Sequence, residues 1–197
     1  GEHKCSCQCP IPGDKHYHNL DDIPEPPSLV ITFKPLAQIP ELVDLCGRLG
    51  VVGLIITTVK RSLADDQHEA EILKRAKRHK LRILGFNSQG FVAPPALVNV
   101  SLFDIPVTKG RLALLSQSGA IITSMLGVAK EREIGFSHVI SLGALSDIDF
   151  GDMIDFLGWS GNVSCILLYI ENLKDVKKFM SACRSVARIK PIVAIKA

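Results

Sequence analysis

Arg111–Gly119, RLALLSQSG, is a short apolar run that ends in a Ser/Gly turn, and an amphipathic pattern starts directly behind it. Leu112, Ala113, Leu114 and Leu115 form the unbroken hydrophobic stretch of a strand covered on both faces. Ala120, Ile121, Ile122, Met125, Leu126 and Ala129 then recur at helical spacing. The turn therefore lies at a helix N-terminus, where free backbone N–H groups and the positive end of the macrodipole meet. Gly119 permits close approach to the backbone, and the Ser116 and Ser118 hydroxyls add donors, so a phosphate group is a natural guest. The same residues serve as ordinary architecture, because Ser118 is a good N-cap in any strand-to-helix turn. A serine nucleophile is not indicated. The run is not G-x-S-x-G, and His138, nearby in the chain, falls at a predicted strand start rather than in a base's position.

Working outward, the same alternation repeats on both sides. Downstream, strands are predicted at Arg111–Leu115, Ser137–Leu142, Ser164–Ile170 and Pro191–Ile195, with helices at Ser118–Glu133, Phe150–Leu157 and Leu173–Ile189. Val176, Phe179, Met180, Cys183 and Val186 recur at three and four on the last helix, a core stripe rather than a cofactor box. Upstream, Ser28–Phe33, Val52–Thr57 and Leu81–Leu84 read as strands, and Ile39–Leu49 and Asp66–His79 as helices. The fold class expected is α/β, with two doubly wound parallel sheets. Asn19–Pro27, NLDDIPEPP, reads as a surface connection, and Phe103–Gly110 as a linker.

Open α/β sheets hold ligands at the carboxyl ends of their strands. On that edge lie Ser116–Gly119, the loop Gly143–Asp149, Glu171 directly after CILLYI, and the loop Gly85–Gly90, GFNSQG, followed by a turn-rich Phe91–Pro95. Asn87 and Ser88 are ligand candidates, although Asn in such a loop often holds its own turn. Glu171 would not bind phosphate; it suits a partner that orients an imidazole, or alternatively a helix cap near Leu173. Asp147 and Asp149 read as caps for the next helix rather than Mg²⁺ ligands.

Composition narrows the function classes. Of 197 residues, 47% are hydrophobic and 22% charged, and a net charge of +3 arises from interspersed acids and bases, which gives no argument for nucleic acid or a membrane surface, and neither is expected as partner. No apolar run has membrane-spanning length and no signal-peptide pattern is present, so a cytoplasmic protein is expected. Cys5, Cys7 and Cys9 crowd the first ten residues, while Cys46, Cys165 and Cys183 fall in periodic core segments, which is not a disulfide framework. C-x-C-x-C with His16 and His18 lacks the C-x2-C pairs of structural zinc sites, and a tail without metal is the reading adopted.

Taken in order, SQSG after a strand, FSHVISLG, the D-x-D of DID, ILLYIENLKD and ARIKPIVAIKA resemble the NDP-forming acyl-CoA synthetase superfamily, the family of succinyl-CoA ligase and ADP-forming acetyl-CoA synthetase. The resemblance implies an irregular tail and linker over residues 1–27, part of a Rossmann-type CoA-binding domain over 28–105, and a flavodoxin-like ligase domain over 106–197. NLDDIPEPPSLVITF, LCGRLGVVG and LRILGFNSQG carry it in the first half, with Phe86-Asn87 where the family has Pro-Asn. It implies that Ser116, Gln117, Ser118 and Gly119 cradle the phosphate of a phosphohistidine, that Glu171 holds that histidine's ring, and that Asn87 and Ser88 border a CoA or acyl-CoA site. ATP or ADP with Mg²⁺, and an ATP-grasp domain or subunit, would belong to a complete parent.

The family's glycine-rich first turn, its S-H-T-G segment and an ATP-grasp domain are not in the sequence, so a fragment without turnover is expected, self-associating through the unpaired apolar edge at Ser28–Phe33. Ala144 stands where synthetases commonly carry Asn. FDIPVTKGRLALLSQSGA and the LSDID loop also resemble the degenerate synthetase-like module of protein lysine acetyltransferases, which implies the alternative of a non-catalytic acyl-CoA sensor fused to an acetyltransferase domain.

Overall fold

A computed structural model describes residues 15, 17–60 and 62–197. The cysteine-rich opening and His16 lie outside them; among the described residues no group of three or more His, Cys, Asp or Glu side chains is placed to hold a metal ion.

Strands β1 (Leu29–Thr32), β2 (Gly53–Ile56) and β3 (Arg82–Gly85) form a parallel three-stranded sheet in sequence order. Helices α1 (Ile39–Arg48) and α2 (Leu63–His79) pack against one another and cover one face. Ile39, Val43 and Cys46 recur at four and three residues along α1, and this stripe is buried with Ile72 and Ala76 of α2. The burial pushes the Cys46 thiol up to about 11. The Ser62 N–H donates to the Asp65 carboxylate at 2.9 Å, closing the first turn of α2.

The second sheet has six strands. Strands β4 (Gly90–Ala93) and β5 (Val98–Ser101) form a hairpin on its edge, followed by β6 (Lys109–Ser116), β7 (Phe136–Ser141), β8 (Cys165–Ile170) and β9 (Ile192–Lys196) in the spatial order β5-β4-β7-β6-β8-β9. β6 is paired in parallel on both sides, by β7 and β8, which accounts for its unbroken apolar run. Its side chains alternate between two cores. Leu114 meets Ile122 and Leu126 of α3 (Gly119–Glu131), whereas Ala113 and Leu115 join Ile154 and Leu157 of α4 (Phe150–Gly158) and Ala182 and Val186 of α5 (Val176–Val186).

The α/β class with parallel sheets is as expected, with two corrections. Phe91–Pro95 is not simply a loop. Phe91–Ala93 belong to β4, which pairs antiparallel with both β5 and β7, so the second sheet is mixed. The hairpin hides in sequence because each strand has four residues and prolines 94 and 95 interrupt them, although VNVS does alternate. The last helix starts at Val176 rather than Leu173, because the Asp175 side chain accepts from Lys178 N at 2.9 Å and fixes the N-cap there. No helix among the described residues is long and apolar enough to cross a membrane.

Two substitutions test this packing. Gly127 sits in the interior of α3 with nothing within 4 Å of an added Cβ, so Gly127→Ala raises unfolding stability by about 0.5–1 kcal/mol. Leu114→Ala, at a site with no exposure, lowers it by about 2–5 kcal/mol. Urea denaturation reads both.

Candidate functional site

The carboxyl-end loops of the two sheets meet along a hydrogen-bonded seam. The 143–149 loop runs beside β3 and continues its backbone pairing: Ala144 N donates to Phe86 O at 2.8 Å, Ser146 N to Gly85 O at 3.4 Å, and Ile148 N to Ile83 O at 3.1 Å. Asp147 returns the contact by accepting from Ile83 N at 2.7 Å and from Arg82 Nε at 3.0 Å. Asp147 thus ties the two sheets together and does not cap a helix. Asp149 is the cap of α4, accepting from Asp152 N at 3.0 Å. Gly143 has φ +60, and a Cβ there would lie 2.0 Å from Phe86 O, so only glycine lets the loops come this close.

Asn87 and Ser88 lie on the β3 side of this seam. Asn87 is exposed, in the left-handed region at φ 57, with its N–H donated to Thr58 O at 3.1 Å. Ser88 is buried and structural: its hydroxyl donates to Ser141 O at 2.6 Å and accepts from Gly90 N at 3.0 Å. The loop therefore presents Asn87 to solvent and uses Ser88 to hold itself.

The Ser116–Gly119 turn lies immediately across from Gln89. Ser116, with no exposure, accepts from Ser118 N at 3.0 Å and donates to Ser118 O at 2.9 Å, so its hydroxyl is spent within the turn. Ser118 is the N-cap of α3 and accepts from Ile121 N at 3.4 Å. The open helix end is left to the Gly119 and Ala120 N–H groups. Against Gly119 rests the Gln89 side chain, whose amide carbon would be 2.2 Å from an added Cβ. Sequence reasoning missed Gln89; a lone amide two residues past Asn87 gives no periodic or motif signal.

Gln117 is the second half of the arrangement. Its Oε1 accepts from Glu171 N at 2.8 Å and Asn172 N at 3.0 Å, and its Nε2 donates to Asn172 Oδ1 at 3.3 Å. One buried amide thereby fixes the chain at the end of β8. Glu171 is brought to the Ser116–Gly119 turn through its backbone, and its exposed carboxylate has no partner among the described residues. It does not cap α5, which Asp175 does.

A charged cluster joins the sheets at the same edge. Glu69 of α2 accepts from Lys60 Nζ at 2.5 Å, receives the Ser146 hydroxyl, and faces Lys174 Nζ at 3.9 Å. Burial acts to raise its pKa, but the hydrogen bonds from Lys60 and Ser146 and the two ammonium charges outweigh that and hold it below 4.5. Nothing in the helical pattern of α2 distinguishes Glu69 from its exposed neighbours, so this link too was not read from sequence.

Two sheets whose carboxyl-end loops interlock beside a helix N-terminus define an α/β protein, a class whose open sheets hold ligands at that edge. A CoA binding domain family model matches residues 8–94, and a succinyl-CoA ligase like flavodoxin domain model matches residues 109–197. The α subunit of the ADP-forming acetate–CoA ligase I of Pyrococcus furiosus is 34% identical over 186 residues, which are 93% of this chain and 40% of that protein. The ADP-forming acetate–CoA ligase I of Archaeoglobus fulgidus is 34% identical over 92% of this chain and 27% of its own length. Among solved structures, the dinucleotide forming acetyl-coenzyme A synthetase 1 of Ca. Korarchaeum cryptofilum, in complex with phosphate and ADP, superposes with a TM-score of 0.89 at 29% identity, covering 95% of this chain and 41% of that one. The chain belongs to the NDP-forming acyl-CoA synthetase superfamily and is homologous to the CoA-binding α-subunit region of ADP-forming acetyl-CoA synthetases. It spans well under half the length of these relatives.

The seam yields two expected outcomes. Glu69 stabilises the fold above its unfolded value of 4.5, and that contribution is lost as pH falls through its lower folded value. Urea midpoints followed from pH 7 to about pH 3 therefore fall more steeply in the native chain than in Glu69→Gln. Gln117→Ala leaves the Glu171 and Asn172 N–H groups without their acceptor and lowers stability by about 1–3 kcal/mol, with faster amide exchange at those two residues.

Proposed function

We propose that this chain is the CoA-binding and ligase-domain portion of an ADP-forming acyl-CoA synthetase, divided at about residues 28–105 and 106–197. The complete enzyme joins a carboxylic acid to CoA while ATP is cleaved to ADP and phosphate, through an acyl phosphate and a phosphohistidine, and runs in reverse to make ATP. An ATP-grasp domain or subunit and Mg²⁺ complete it, and a cytoplasmic setting suits its soluble substrates.

The observation that carries this reading is an exposed Asn87 in the loop after β3, the loop whose Gln89, two residues on, rests against Gly119 at the N-terminus of α3. Asn87 offers an amide to CoA. Gly119 and Ala120 offer N–H donors and the positive end of a thirteen-residue helix to phosphate, within the frame made by Ser116 and Ser118. Gln117 positions Glu171 beside that frame, leaving its carboxylate free to hold an incoming imidazole. These groups fit phosphate and CoA by charge and hydrogen-bond type, and Gln89 is the side chain that must yield to or share the helix end.

Gln89 also supports a second reading, in which the turn is filled from within and the chain serves as a non-catalytic acyl-CoA sensor. Both readings require CoA binding, and they part on phosphate.

Isothermal titration with CoA and acetyl-CoA tests the shared requirement. Binding is saturable, and both Asn87→Ala and Asn87→Gly weaken it by about tenfold. The glycine variant accommodates φ 57 without strain, so its loss isolates the side-chain contact. Absence of binding, or identical affinity in Asn87→Gly, rejects the reading. Inorganic phosphate raising the Tm supports the catalytic version; no rise supports the sensor.

A further inference from the structure

Beside β3, the second half of α2 and the 143–149 loop leave an open cleft between them, with a volume of about 430 Å³. Its floor is Leu73, Ala76 and Leu81, and Lys77, Lys80 and Arg82 stand around it, with Ser146 and Asp147 on the loop side. The volume lies within the roughly 300–1,000 Å³ of small-molecule sites. Arg82 begins β3, so the cleft sits at the amino end of that strand, whereas Asn87 follows its carboxyl end.

Charge at this end of α2 is one-sided. Residues 74–82 read KRAKRHKLR, and the neighbouring acids are already used. Glu71 and Asp44 each accept from Arg75 at 2.7 Å, and Asp44 also faces His79 at 3.1 Å. Asp147 and Asp152 hold Arg82 at 3.0 and 3.5 Å. Lys77 and Lys80 are exposed, and their side chains have neither an ion pair nor a hydrogen bond among the described residues.

Lys80 also breaks a local rule. It has φ 55, the left-handed conformation that closes α2, with Leu81 N donating to Ala76 O at 3.0 Å. Glycine adopts that conformation without penalty, and a lysine there is strained. The helix macrodipole favours cations in the last turn, but Lys77, Arg78 and His79 already supply them. Lys80 therefore adds like charge to a crowded end, at a position where glycine would be more stable, and its side chain lines the cleft.

The surroundings define the chemistry of the ligand. Two ammonium groups without counterions match a phosphate monoester dianion in charge and in donor type. A phosphate group alone fills a small part of the cleft, and the floor is hydrocarbon, so the ligand carries an apolar body as well. Asp147 does not oppose it, because Arg82 offsets its charge and Ile83 N donates to it at 2.7 Å. We propose that this cleft binds a phosphate monoester with an apolar body, the phosphate met by Lys77 and Lys80 and the body resting on Leu73, Ala76 and Leu81.

The test is calorimetric titration of the whole chain, at low ionic strength, with phenyl phosphate, inorganic phosphate and phenol. Phenyl phosphate binds saturably and at least about threefold more tightly than either of the others. Lys80→Gly raises the Tm, because the strain at φ 55 is relieved, yet weakens phenyl phosphate binding by about three- to tenfold. Lys77→Gln weakens it by a similar factor. A purely structural Lys80 would move the Tm alone. Failure of phenyl phosphate to saturate, equal binding of inorganic phosphate or phenol, or an affinity unchanged in either lysine variant overturns the proposal. Unchanged affinity in both variants places the phosphate elsewhere, as at the Gly119 turn, and leaves the reading of the seam standing.

Discussion

The backbone pairing of the 143–149 loop along β3 is the constraint on which the rest depends. β3 is an edge strand, and an uncovered edge leaves a row of N–H and C=O groups without partners. Here those groups are met by the other half of the molecule: carbonyls of Ile83, Gly85 and Phe86 accept from alternate residues of the loop, and Asp147 takes the Ile83 N–H. The loop that closes the edge is the same one that carries Gly143 and Ala144 past Asn87. Closing one sheet and assembling the candidate site are one event, so the relative position of Asn87 and the α3 N-terminus is set by hydrogen bonds rather than by the lengths of connecting chain.

A second layer of constraint uses side chains with more than one bond each. Gln117 holds two backbone N–H groups and one amide oxygen, and Glu69 draws in two lysines and a serine from both halves. Such groups are expensive to bury singly and become stable in company. Their position at the carboxyl edge leaves the apolar cores to do the rest: one under α1 and α2, one under α3, and one that gathers α4, α5 and residues of both sheets.

Strong periodicity made most of this legible in sequence. The apolar run at Leu112–Leu115, the spacing of Ile122 and Leu126, and the stripes of α1 and α5 are repeated signals that tertiary packing reinforces. The β4–β5 hairpin was hidden because strands of four residues interrupted by prolines carry too few positions for a period to register. At the site, Ser118 as N-cap follows from its place in the pattern. Ser116 turning inward, Gln89 resting on Gly119 and Gln117 reaching the end of β8 do not, because each depends on a contact with a distant part of the chain. Asp147 looked like a cap for the same reason: its partner, Ile83, is 64 residues away.

Cys46 gives the architecture an internal clock. Its thiol is enclosed between α1 and the three-stranded sheet and pushed up to about 11, so thiolate is scarce and reagents have no path to it. Alkylation at this residue then proceeds only through openings of the first sheet and its helices. The cysteines of the second sheet's side, Cys165 and Cys183, are only partly enclosed. Peptide-resolved labelling thus separates the breathing of one half from that of the other, and shows whether closing the β3 edge makes the two halves open as one cooperative unit or in turn.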